Sequence, residues 1–173
     1  MTVSAAAEIA SSLCTFIAFQ LEENMVISIF LHLFGAVLWV GGMFFAYMAL
    51  RPAAAELLSP PQRLPLWAGV FRRFFPWVWS AIALLLGSGL FMVMLLGGFD
   101  AVPWSIHAMF GTGIVMMLVY FYLYFVPFSR LKHAVADEEW KKGGDALATI
   151  RKLIAFNLSL GLLEIVFAAL FRL

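Results

Sequence analysis

Charge is scarce in this chain. Only 12% of its 173 residues are Asp, Glu, Lys or Arg, about half the roughly 25% of an average soluble protein. No Lys or Arg occurs before Arg51. There is one cysteine, Cys14, which excludes an internal disulfide or a multi-cysteine zinc site and reads as an incidental apolar side chain. The sequence contains no G-x-G-x-x-G, P-loop, C-x-x-C or G-x-S-x-G, so the common nucleotide, thiol-redox and hydrolase signatures are missing. A net charge of +1 gives no electrostatic footprint for nucleic acid. No internal repeat and no low-complexity tract is present.

What the chain has is apolar length. Hydrophobic residues make up 64% and the mean hydropathy is +0.98. A water-soluble domain of this size cannot bury so much apolar surface, and disorder requires the opposite composition. Four apolar runs, at 25–50, 74–99, 101–129 and 153–171, carry among them His32, His107 and Glu164 and no other ionisable group of that kind. Each is at or near the roughly 20 residues that a spanning helix needs, and none alternates as barrel strands do. The expected fold is an all-α membrane protein, a four-transmembrane-helix bundle with spans at about 25–50, 74–99, 103–128 and 150–171.

Ten of the eleven Lys and Arg residues fall between spans one and two or between spans three and four. The positive-inside rule puts both segments in the cytoplasm, so both termini and the turn at Asp100 face outward, in a multi-pass protein of a bacterial inner membrane. Pro60 and Pro61 are expected to break the first cytoplasmic loop. Gly97 and Gly98 end span two, Pro103 opens span three from its first helical position, and Asp145 caps the last helix after Gly143 and Gly144. Residues 1–24 lack the basic start of a secretory signal. Their apolar piece, 13–19, is too short to span. They read as an outer tail or short interfacial helix, with Met25 as an alternative start, and residues 25–173 as the four-helix domain.

Ionisable side chains inside a membrane are costly and mark function by default. Counted at about 1.5 Å per residue, His32, His107 and Glu164 all fall in the outer half. His32, Gly35, Trp39 and Gly42 share one helix face, as do His107 with Gly111, and Asn157 with Gly161 and Glu164. The small residues leave room for a close helix contact or a flat ligand. Three readings follow. In the favoured one His32 and His107 are axial ligands of a b-type haem, flanked by Gly35, Gly111 and Trp39, which passes electrons between a membrane quinol and an outside acceptor. In the second they bind copper together with Met92, since imidazole and thioether both suit that metal. In the third they only bond neighbouring helices. Glu164 is a proton relay, an orienting partner of a ligand histidine, or interhelical glue. Ser80, Ser88, Ser105 and Asn157 read as interhelical or backbone bonders.

The stretch LHLFGAVLWVGGMFFAYMALRPA, residues 31–53, resembles the first helix of the copper-resistance CopD family, with a histidine followed by Trp39, Gly41 and Gly42. The stretch RRFFPWVWSAIALLLGSGL, residues 72–90, resembles that family's next helix. The resemblance covers most of the chain from Met25 onward and implies a compact copper transport or copper-resistance domain. The two histidines, and the segment Trp104 to His107 opening span three, also resemble the HemJ-type protoporphyrinogen oxidases. That resemblance implies a four-helix membrane protein holding a b-type haem, with an intramembrane lysine in the site. Here no lysine occurs in span three before Lys132, a departure that counts against the oxidase activity.

Overall fold

The computed structural model describes residues 2–171. Met1, Arg172 and Leu173, the ends of the expected tail and four-helix domain, lie outside the described residues. Four helices are long and apolar enough to cross a membrane, and among the described residues there is no strand. The protein is an all-α four-helix bundle of the membrane type.

The first long helix is a composite rod. It consists of α1 (Thr2–Ala36), a π-helical turn (Val37–Gly41), α2 (Gly42–Phe45), a second π-helical turn (Ala46–Leu50) and α3 (Arg51–Leu57). The segment before Met25 is thus no separate element but the start of α1. The second long helix is α4 (Pro60–Leu95). After a 3-10 turn (Phe99–Ala101) come α5 (Trp104–Phe125), α6 (Pro127–Ala136) and α7 (Trp140–Phe171).

The connections follow from local chemistry. Pro60 and Pro61 start a helix where the sequence reading expected a broken loop. Ser59 and Gln62 form a capping box, with the Ser59 N–H donating to Gln62 Oε1 at 3.2 Å, and a proline in the first turn loses no helical bond. Arg63, Arg72 and Arg73 therefore ride on α4. At its far end α4 closes as expected: Gly98 N–H donates to the Val93 carbonyl at 2.8 Å and Gly97 N–H to Met94 at 3.1 Å. Gly97, at φ +99°, takes the left-handed position that such a Schellman cap favours for glycine. Pro103 is the cap of α5 and not its first residue, because its ψ of 159° is extended.

The start of α7 differs most from expectation. It begins at Trp140, and Asp145 lies inside the helix, where its carbonyl accepts the Thr149 hydroxyl. The reason is a second Schellman closure. Glu138 adopts φ 55°, Glu139 N–H donates to the Ala134 carbonyl at 2.8 Å, and the chain reverses before the glycines are reached. Gly143 serves packing instead: a Cβ there would stand 3.0 Å from Leu64 Cδ1, so α7 can approach α4 closely.

α1 packs along α4, while α7 packs against α5 and α6. The core is densest near the end that carries the basic residues. There Phe75 stacks on Phe71 at 5.2 Å between centroids, and meets Phe128 edge-on at 4.8 Å and Tyr120 at 5.6 Å. Edge and offset geometries of this kind add roughly 0.5–1.5 kcal/mol per pair beyond area burial. Toward the Asp100 end the buried residues include Ser28, Ser88 and Ser105, and there the first candidate site lies.

Candidate functional site

His32, on α1, reaches across to α4. Its Nδ1 lies 3.0 Å from Ser88 Oγ, and the same Oγ lies 2.5 Å from the Leu84 carbonyl. A carbonyl only accepts, so the single hydroxyl proton of Ser88 is given to Leu84. Ser88 then accepts from His32, which puts the proton on Nδ1 and leaves Nε2 as the unprotonated ring nitrogen; the Leu85 backbone is a further partner of this imidazole. A ligand histidine characteristically has this arrangement, its other ring nitrogen donating to a fixed acceptor. Two glycines permit the approach. A Cβ on Gly89 would stand 3.3 Å from His32 Cε1, and one on Gly35 would stand 3.1 Å from both the Ala81 carbonyl oxygen and Leu85 Cγ. Ser88 was legible as a polar bonder. Its partnership with His32 was not, although the Gly87–Ser88–Gly89 triplet at that depth was a signal for it.

His107 is arranged differently. Its Nδ1 lies 3.2 Å from the Pro103 carbonyl one turn earlier on the chain, so it too carries its proton on Nδ1. The ring is exposed and rests against Phe99, 5.7 Å between centroids. Gly111 meets open space. Among the described residues no hydrogen bond or ring contact joins His107 to His32. Trp39 is buried in the aromatic core, edge-on to Tyr120 at 6.1 Å. Met92 is half-buried on α4, one turn beyond Ser88 and on the same face. Glu164, half-buried on α7, faces the Thr112 hydroxyl of α5 and bonds to neither histidine. Asn157 does bridge helices, donating Nδ2 to the Met116 carbonyl at 2.9 Å.

Among the described residues no group of three or more His, Cys, Asp or Glu side chains gathers as a metal site would. The arrangement lends the expected haem no support, because among the described residues nothing joins His32 to His107. At His32 the helices α1 and α4 are in contact through Gly35 and Gly89, and the cavity between the helices, about 220 Å³, is lined by no histidine. What the arrangement offers is one imidazole held to α4 by Ser88 and a thioether one turn farther along that helix.

The sequence pattern of the family described as Copper resistance protein D matches residues 68–171. No curated protein and no solved structure matches the chain.

Proposed function

The chain belongs to the copper resistance protein D family, and on that footing we propose that it carries copper ions through or into the plasma membrane of a bacterium. His32 Nε2 and the Met92 thioether meet the ion on the α1–α4 face. The observation that carries this reading is the His32–Ser88–Leu84 chain of hydrogen bonds. It holds the one buried-side imidazole in the tautomer that a metal takes. Imidazole with thioether suits Cu(I). Two protein ligands make a weak site, and a carried ion needs binding that it can leave. The basic residues at the far end of the bundle support a cytoplasmic side there, and in this reading the His32 end receives the ion from outside.

The test is Cu(I) entry into vesicles holding a trapped colorimetric Cu(I) chelator. Vesicles with the wild-type protein should colour faster than protein-free ones, and His32→Ala and Met92→Leu should each slow entry about tenfold, at the lower end of what loss of a metal-orienting or metal-binding group costs. Wild-type vesicles no faster than protein-free ones, or a His32→Ala protein as fast as wild type, would remove the reading.

A further inference from the structure

The ten Lys and Arg side chains at the basic end of the bundle are not alike. Seven are exposed. The three that are half-buried, Arg51, Arg63 and Arg151, come from three separate elements, α3, α4 and α7. These same three are neighbours: Arg51 and Arg63 both lie close enough to Arg151 for their charges to oppose its own, and no carboxylate acts on Arg151 in return. Among the described residues the one ion pair joins Lys142 to Glu139 at 2.6 Å, so none of the three guanidinium groups has a carboxylate partner there. Glu56, Asp137, Glu138 and Asp145 are exposed.

The fold holds the three together. Arg51 follows directly on the second π turn, which packs against α7. Its guanidinium lies over the Tyr47 ring, with Cζ 4.8 Å from the centroid, and a stacked guanidinium keeps its N–H edge for an acceptor. Arg63 stands beside buried Leu64, whose Cδ1 meets α7 at Gly143. Arg151 stands beside Ile150, which is fully buried. Arginine cannot relieve the repulsion by losing its proton, and charges drawn partly out of water call for a partner. Topology alone asks only for basic residues on one side of the membrane. It does not ask that three of them meet, half-buried, from three helices.

We propose that Arg51, Arg63 and Arg151 form an anion site that binds a phosphate group, carried by a lipid head group or dissolved in water. Guanidinium forks match phosphate oxygens two at a time, and three cations supply the charge that a phosphate needs. The level suits a head group. Arg51 directly follows the first apolar run and Arg151 precedes the last, so the group stands at the membrane boundary, where basic pockets between helices take phosphorylated head groups. A phosphate held there ties α3, α4 and α7 together at that end. This inference stands apart from the copper reading and uses none of its residues.

Binding to the full-length protein in neutral detergent, at about 0.15 M salt to screen exposed charge, is measured by titration calorimetry with three probes. They are sodium phosphate, dioctanoyl phosphatidylglycerol, and dioctanoylglycerol, which keeps the chains and lacks the phosphate. At least one phosphate probe should bind, and dioctanoylglycerol about tenfold more weakly or not at all. Binding of the phospholipid only assigns the site to a head group, of sodium phosphate only to a dissolved anion, and of both to the phosphate itself. Arg151→Gln should weaken phosphate-probe binding about tenfold, the effect of one charge-assisted hydrogen bond. Arg130→Gln, which removes the same charge from an exposed position at that end, should change it less than about twofold. Failure of both phosphate probes to bind, equal affinity for dioctanoylglycerol, unchanged affinity in Arg151→Gln, or an equal loss in Arg130→Gln overturns the proposal. If Arg151→Gln does not fold, Arg63→Gln is read against Arg130→Gln in the same way.

Discussion

Adding one methyl group at Gly161 tests a close contact between α7 and the first rod. A Cβ there would stand 2.8 Å from Val40 Cγ2 and 3.3 Å from Met116 Cε. Methionine can move aside. Val40 cannot easily do so, because a β-branched side chain has essentially one rotamer in a helix and this one is buried. Overpacking of this kind costs roughly 1–3 kcal/mol. Replacing a helical glycine by alanine returns about 0.8 kcal/mol of helix propensity. From about 2 kcal/mol of overpacking, a net loss of about 1.2 kcal/mol remains, and at roughly 2–4 °C per kcal/mol for a chain of this length Gly161→Ala should melt about 2–5 °C lower. Gly87→Ala is the control, since a Cβ at Gly87 meets nothing within 4 Å. It gains the propensity alone and should melt about 2–3 °C higher. Thermal unfolding of both proteins in detergent, followed by tryptophan emission, gives the comparison. Val40→Ala, which removes the offending methyl groups, should cost less in the Gly161→Ala background than alone, the coupling expected of residues in contact. A Gly161→Ala protein as stable as Gly87→Ala, or strictly additive costs, would refute the contact between Val40 and Gly161.

Gly97→Ala should lower the melting temperature by a few degrees in the same assay, because φ +99° suits only glycine and such a substitution costs about 1 kcal/mol; an unchanged melt would refute the α4 closure. Ser88→Ala should weaken Cu(I) entry about tenfold while His32 stays in place, the effect of removing the group that orients a ligand imidazole; unchanged entry would detach Ser88 from the site. In a Cys14→Ser background, Lys142→Cys should resist a membrane-impermeant thiol reagent added to intact cells and Asp100→Cys should react with it. The reverse pattern would turn the bundle over and move the His32 end to the cytoplasm.

The fold was legible because the membrane imposes it. Apolar runs of spanning length have one inexpensive structure in hydrocarbon, and the paucity of charge within them left no alternative. The boundaries were less legible, and for a common reason. Pro60, Gly143 and Asp145 are breakers or caps by residue type, but a proline at a helix start, a glycine at a helix contact and an aspartate within a helix look the same in the sequence. At the start of α7 the decision was made by Glu138, a non-glycine residue in the left-handed region, which residue preference does not foretell. His32 and His107 were legible as the unusual groups of their spans, and depth counting matched them to one end of the bundle. The rotation of the helices was not legible. His107 bonds its own helix and faces outward, so equal depth did not become proximity.

The clearest limit concerns the face of the first rod. A 3.6-residue period puts His32, Gly35, Trp39 and Gly42 in one stripe. In the structure Gly35, Trp39 and Met43 are buried and Gly42 is only half-buried, a step of four residues that drifts away from α periodicity toward the wider π turn. No residue type announces a π turn, since each is an added residue per turn whose cost is met by tertiary packing. The consequence reaches the chemistry. In strict α-winding Trp39 would stand beneath His32 and the two would belong to one site. The π turn at Val37–Gly41 carries Trp39 into the aromatic core and toward Asn157, so that the rod presents an imidazole to α4 at one level and an indole to the central cavity at the next. One stripe in the sequence is thereby divided between two levels of the bundle, and the discriminating comparison is between variants on either side of the turn: His32→Ala should slow Cu(I) entry, and Trp39→Phe should leave it unchanged. Slowed entry in Trp39→Phe as well, with the fold intact, would mean that the two side chains serve a single site after all.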